Sequence, residues 1–258
     1  FFNEIFKKLD NESNTINGLS TISTSDSQII TSYEYTDNLI LLRSKKSTSK
    51  NYSAQYKGKI NLDPFNLDLD IDLGETKLKK LVNLDSIIWE IFKSKLLFND
   101  NISANISINI KDNIFNNLFD SAKIFFKINN GVIDFNKSQI SNDKIAILNT
   151  LNSKLFIRGS DLIFNSDFSL RIVNSDRFFS FLQAPKKLRK PIKNISFSIE
   201  YNFSNNFLSI ISFKIDDVKP NENIFSVLNN FNKSDNQDIK NVIKNRALFY
   251  QLLSAYEG

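Results

Sequence analysis

The chain contains no cysteine, no histidine and no methionine among its 258 residues. Without cysteine there is no disulfide framework, no thiolate metal site and no thiol nucleophile. Without histidine the commonest general base is missing, and Ser-His-Asp and Cys-His chemistry are excluded within this chain. Natural chains begin with methionine, so Phe1 is expected to follow further sequence, and the chain is read as a segment of a longer protein. Glycine and proline are scarce, at six and four residues, against an apolar content of 41%. That balance argues against collagen-like and disordered classes. The six glycines form neither G-x-G-x-x-G nor G-x-x-x-x-G-K, so nucleotide-binding loops of those types are not encoded. No apolar run approaches the ~20 residues of a membrane-spanning helix; the longest in the first half is Leu39-Ile40-Leu41-Leu42. Phe1-Phe2 is followed at once by Asn3, Glu4, Lys7 and Lys8, which does not read as a signal peptide. Anchor and targeting signals are expected upstream.

The net charge is +5, from 33 basic and 28 acidic residues. Arginine is also scarce: Arg43, Arg158, Arg171, Arg177, Arg189 and Arg246 are its only occurrences. Bidentate recognition of bases and phosphates favours arginine over lysine, so the charge does not point to nucleic acid as a partner.

The sequence does carry period-2 alternation. Phe65, Leu67, Leu69, Ile71 and Leu73 alternate with Asn66, Asp68, Asp70 and Asp72. Ile102, Ala104, Ile106, Ile108 and Ile110 alternate with Ser and Asn. Ile124, Phe126 and Ile128, then Phe164, Phe168, Leu170 and Ile172, then Ile195, Phe197, Ile199 and Tyr201, then Phe207, Ile211, Phe213 and Ile215 extend the pattern. Successive side chains of a strand point to opposite faces, so each stripe predicts a strand with one apolar and one polar face. Strands are expected at 65–73, 102–110, 122–129, 162–173, 194–203 and 207–215, with turns at Asn130-Gly131 and Asn205-Asn206. Weaker patterns cover 28–36, 52–60, 144–150 and 154–158. Long half-wet strands of this kind predict a mainly β, antiparallel sheet rather than a buried parallel one.

Helical spacing appears at Thr76–Phe98 and at Ser175–Leu182, with a further turn in 220–230. The C-terminal helix opens on Ser234-x-x-Gln237, a capping-box pattern. Ile239, Val242, Ile243, Phe249, Leu253 and Tyr256 mark its apolar face. Residues 1–50 are poorly patterned, and residues 51–258 read as one continuous sheet-based unit.

Within 174–217, Asp176, Phe178-Phe179, Phe181, Gln183, Pro185 and Arg189-Lys190 precede the Ile-rich stretch Ile195–Tyr201 and a hairpin. This order, together with the upstream Lys127–Phe135 hairpin and its Asn129-Asn130-Gly131 turn, resembles the C-terminal region of the AsmA-like family of Gram-negative envelope proteins. The resemblance covers roughly residues 60–217, and Phe178-Phe179 stands where Phe-Tyr is expected. It implies a long periplasmic sheet curled into an open, β-taco-like groove, attached to the inner membrane through a region not in this chain. It implies no cofactor and no enzyme activity, with phospholipid as cargo for transport to the outer membrane.

On that reading the groove is lined by Leu67, Leu69, Ile71, Ile106, Ile108, Phe126, Phe168, Leu170, Phe197, Ile199 and Phe213. The same stripes are also what an ordinary packed core needs. Lys186, Lys187, Arg189, Lys190 and Lys193 form the densest basic cluster, read either as a solvated loop dispensable for folding or as contacts to anionic headgroups. Asp68, Asp70 and Asp72 share one face of a flat strand, which does not wrap a hard cation, so they read as a solvated outer face. Phe178, Phe179, Phe181 and Trp89 read as core caps or as a gate. The competing function is a structural or assembly module of outer-membrane biogenesis that docks an envelope protein by edge-strand pairing.

Overall fold

The computed structural model describes residues 2–8, 15–23, 27–49, 52–74, 94–114, 118–216, 218–233 and 242–256. The described chain is mainly β, with fourteen strands and three α-helices. It divides into two compact units: residues 1–114 with 120–133, and residues 115–119 with 134–258.

In the first unit the strands neighbour one another in chain order. They are β1 (Phe2–Lys8), β2 (Thr15–Ser23), β3 (Ser27–Thr36), β4 (Leu39–Ser49), β5 (Tyr52–Leu62), β6 (Phe65–Gly74), β7 (Ser103–Ile114) and β8 (Phe119–Asn129). Pairs from β1 to β6 are antiparallel. The β6–β7 pair is parallel, with Leu67 opposite Ala104 and Ile71 opposite Ile108. The sheet is mostly antiparallel, as expected, and this step makes it mixed. A parallel pair requires a long crossover connection, and residues 75–102 supply it. The span expected to be helical, Thr76–Phe98, falls in that stretch of sequence; most of it, with Trp89, lies outside the described residues, while Leu96–Phe98 forms a 3₁₀ turn.

The short β9 (Val132–Asp134) lies where the chain passes from one unit to the other. In the second unit β10 (Gln139–Asn142), β11 (Ala146–Arg158), β12 (Asp161–Ile172), β13 (Asn194–Asn202) and β14 (Phe207–Ile215) form an antiparallel meander. The helices are α1 (Ser175–Leu182), α2 (Glu222–Asn232) and α3 (Val242–Ala255). Asn174 caps α1 by accepting from the Arg177 amide, and Asn221 caps α2 by accepting from Ile224. The expected capping box at Ser234–Gln237 lies outside the described residues.

All six strongly patterned spans are strands, and both expected turns are present. Asn130 (φ 49°), Gly131 (φ 67°) and Asn206 (φ 55°) adopt the left-handed backbone that asparagine and glycine tolerate. The two weak spans at 144–158 are one strand, β11, broken by a bulge between Leu151 and Lys154. The division expected at residue 50 is corrected. β4 pairs with β5 from Leu39 opposite Asn61 to Ser49 opposite Tyr52, so residues on both sides of position 50 belong to one sheet.

β14 is the last strand of the second unit's sheet, and Asn232 at the end of α2 guards its edge. Its Oδ1 accepts from the Ile210 amide and its Nδ2 donates to the Ile210 carbonyl, both at 2.9 Å. The side-chain amide stands in for a neighbouring strand, one way of protecting an exposed edge. Asn232→Ala should lower stability by about 1–2 kcal/mol and give concentration-dependent self-association in light-scattering chromatography. A variant that stays monomeric at every concentration would show that this edge is protected without Asn232.

Candidate functional site

The ladder registers of the first unit align apolar side chains into rows across the strands. One row is Ile16, Tyr35, Ile40, Ile60, Leu67 and Ala104. The next is Gly18, Tyr33, Leu42, Gly58, Leu69 and Ile106. In the third, Tyr56 stands opposite Ile71 and Ile71 opposite Ile108, while Ser20 stands opposite Thr31. A Thr31–Tyr56 hydroxyl bond joins those two pairs. Apart from Ala104, every side chain in these rows is half-buried rather than sealed, and the first unit has no α-helix among its described residues.

A concavity of about 410 Å³ opens on this face. It is lined by Ile16 and Ser20 from β2, Thr31, Tyr33 and Tyr35 from β3, Ile40 and Leu42 from β4, and Ile60 from β5. Gly18 allows it to form: a Cβ there would lie 2.1 Å from Tyr33 Cζ, so the ring lies flat across the glycine.

Across β5, β6 and β7 the opposite face is polar. Asn105 Nδ2 donates to Asp68 Oδ1 at 2.7 Å, Lys59 lies 3.3 Å from Asp68, and Asn109 Nδ2 donates to Asp72 Oδ1 at 2.9 Å. The Asn105 bond, aided by Lys59 and Asn66, holds the Asp68 carboxyl below its ordinary value of 3.8 against the opposing effect of burial. Its stabilising contribution is therefore present above pH 3.8 and is lost as pH falls through the lowered value. Asp68, Asp70 and Asp72 lie on this outer face, as the sequence pattern requires.

In the second unit the rows run Phe168, Phe197, Phe213 and Leu170, Ile195, Ile215. Phe168 and Phe197 stack at 4.9 Å. Here Leu170, Ile195, Phe213 and Ile215 are buried, and so are Phe178, Phe179, Ile224, Leu228, Leu252 and Leu253 from the helices. Phe178 packs edge-on against Phe179 at 5.9 Å and Phe249 at 6.2 Å, so this pair belongs to a packed core; Phe181 is half-buried.

Leu67, Leu69, Ile71, Ile106 and Ile108 thus share one face of the first unit, and Phe168, Leu170, Phe197, Ile199 and Phe213 share one face of the second. Phe126 is half-buried on β8. Sequence reasoning missed Ile16, Tyr33, Tyr35, Ile40, Leu42 and Ile60. In β4 the run Leu39–Leu42 hides the alternation, since Leu39 and Leu41 point to the other face.

Of the basic loop, Lys186, Lys187, Arg189 and Lys193 are exposed, and Lys190 is half-buried. The expectation that all five are dispensable for folding is corrected for two of them. Lys190 Nζ donates to the Tyr256 carbonyl at 2.5 Å and lies 5.5 Å from its ring, and Arg189 Nε donates to the Ala184 carbonyl at 2.9 Å. Asn221 Nδ2 donates to Ala255 O at 2.9 Å, so the end of α3 is tied at two carbonyls. Asp216 Oδ1 accepts from the Lys193 and Asn194 amides at 2.7 Å, and its carboxylate also accepts from the Tyr256 hydroxyl.

Burial first, and Asp216 second, push the Tyr256 phenol above its ordinary value of 10.0. A raised pKa stabilises the fold below pH 10.0 and loses that contribution as pH climbs towards the folded value. Melting measured from neutral to strongly alkaline pH should therefore fall less steeply above pH 10.0 in Tyr256→Phe than in the unmodified chain. Parallel curves would remove Tyr256 from the alkaline transition.

No family model, no curated protein and no solved structure matches the chain.

Proposed function

We propose that this chain is a non-catalytic, AsmA-like segment that binds phospholipid acyl chains along the apolar sheet face of its first unit. In that role it sits in the periplasm, is held to the inner membrane by a region outside this chain, and supports lipid transport to the outer membrane. The carrying observation is the set of in-register, half-buried apolar rows across β2–β7, with a concavity of about 410 Å³ on that side and, over β5–β7, a polar face on the other. Apolar patches larger than a few hundred Å² on a soluble protein mark sites that something fills. An acyl chain gains about 0.8 kcal/mol per CH₂ removed from water. The resemblance in 174–217 supplies the envelope setting. The assembly-module alternative needs a free sheet edge, and Asn232 bonding to Ile210 counts against pairing at β14.

The test is native mass spectrometry for co-purified phospholipid, combined with melting curves for Leu42→Lys and Ile108→Lys. On an open apolar wall the lysine stem lies along the surface and its ammonium reaches water. Both variants should fold, with melting lowered by a few degrees and with less bound lipid. Leu253→Lys is the contrasting case, because Leu253 is 2% exposed and an unpaired charge there should unfold the second unit. Unfolding of Leu42→Lys and Ile108→Lys, or unchanged lipid in both, would overturn the reading.

A further inference from the structure

One end of the second unit's sheet gathers cations from four separate segments. Val173 N donates to Ile145 O at 2.9 Å, and Ile172 N donates to Lys193 O at 2.7 Å. Lys193 N donates to Asp216 Oδ1 at 2.7 Å, and Val218 N donates to Ile215 O at 3.0 Å. These bonds hold segments 143–145, 171–177 and 185–193 beside residues 214–216 and 218–219, where β12 and β14 finish and β11 and β13 begin. Lys144, Arg171, Lys186, Lys187, Lys193 and Lys214 are exposed there, and none is in an ion pair with a carboxylate of the described residues. Asp143 and Asp176 are exposed acids at the same end, and Asp216 is engaged by two amides and Tyr256. Between the cations stand two exposed apolar side chains, Val173 at 46% and Val218 at 51%.

We propose that this basic end docks onto the surface of an anionic bilayer. Its lysines and arginine meet lipid phosphates, and Val173 and Val218 enter the headgroup boundary. The choice of a bilayer as occupant rests on the lipid-binding reading. It also follows from the mixture on the surface. Exposed valines among lysines suit an interface that is charged outside and apolar beneath, whereas nucleic-acid surfaces favour arginine and aromatic stacking. Each basic residue near a charged membrane tightens binding by about fivefold, with screening by salt.

The experiment is co-sedimentation of the full chain with phosphatidylcholine vesicles, with and without phosphatidylglycerol, over a salt series. The unmodified chain should bind only the phosphatidylglycerol vesicles and release as salt rises. Combined Lys186→Gln, Lys187→Gln and Lys193→Gln should weaken binding by about a hundredfold. Lys190 is left intact because it holds Tyr256. Lys144→Gln with Lys214→Gln, drawn from other segments, should weaken it by about twenty-five-fold, and Val173→Ser with Val218→Ser should weaken it while leaving the salt dependence. No preference for phosphatidylglycerol, or unchanged binding in both charge variants, would overturn the proposal. So would duplex DNA bound as tightly as the anionic vesicles. Native mass spectrometry on the same variants separates the two readings. Retained acyl-chain occupancy with lost vesicle binding supports docking as a distinct site, whereas vesicle binding without any co-purified lipid supports docking and defeats only the acyl-chain reading.

Discussion

The pairing of Leu67, Leu69 and Ile71 with Ala104, Ile106 and Ile108 makes one face of the first unit apolar, and everything built on that face depends on it. Side chains alternate strictly along a strand, so a slip of one residue between β6 and β7 would bring Asp68 and Asp70 into rows of isoleucine. The polar face selects the same alignment independently. Asn105 reaches Asp68, and Asn109 reaches Asp72, only when Asp68 is opposite Asn105. Two unrelated requirements, apolar contact on one side and amide–carboxylate bonding on the other, therefore choose one register. A single-faced pattern leaves a strand freer to slide.

The same alternation has different consequences in the two units because of what covers it. In the second unit α1 and α3 are bonded together by the Tyr250 hydroxyl on the Leu182 carbonyl at 2.5 Å and by Arg246 Nη1 on Gln183 Oε1 at 2.9 Å. With them, Phe178, Phe179, Ile195, Ile215 and Leu253 are withdrawn from water almost completely. Full burial of such side chains stabilises by roughly 1.5–3 kcal/mol each. In the first unit the matching positions, such as Leu42, Leu69 and Ile108, stay half-buried among the described residues. Less of their transfer free energy is realised within the described chain, and the remainder is available to an occupant. That asymmetry is why we place the proposed lipid-binding role on the first unit, while the second unit's described core is closed.

Much of this was legible in the sequence. Strands β6, β7, β8, β12, β13 and β14 follow from their alternation, and α1 follows from Asp176 near its start and Pro185 beyond its end. What stayed hidden has particular causes. In β2 the inward positions are Ile16, Gly18, Ser20 and Ile22, so two small residues break the apolar stripe that would announce a strand. In β4 both faces carry leucine or isoleucine over Leu39–Leu42, and the run has no visible period. The parallel β6–β7 step was signalled only indirectly, by a helical pattern long enough for a crossover. The concavity was not legible at all. It depends on Tyr33 lying over Gly18, a contact between strands that no single-strand pattern contains.

An apolar sheet face left accessible is a hazard as well as a site, and the chain restricts it to one direction. Lys57 and Lys59 stand opposite Asp70 and Asp68 across β5–β6, which keeps the other face charged. The bonds that lower the Asp68 pKa keep that carboxyl ionised to lower pH than a free aspartate. Charge on the outer face discourages sheets from stacking through it. At β14 the Asn232 amide occupies the Ile210 amide and carbonyl, which an incoming strand would otherwise use. With stacking opposed over β5–β7 and Ile210 covered at β14, the inner rows of β2–β7 remain the broadest in-register apolar stretch described in the first unit. That surface offers isoleucine and leucine side chains together with the hydroxyls of Ser20, Thr31, Tyr33 and Tyr35, Thr31 being bonded to Tyr56. An extended aliphatic chain, the occupant proposed above, suits the isoleucine and leucine positions of these rows, where an unpartnered polar group would be costly to bury.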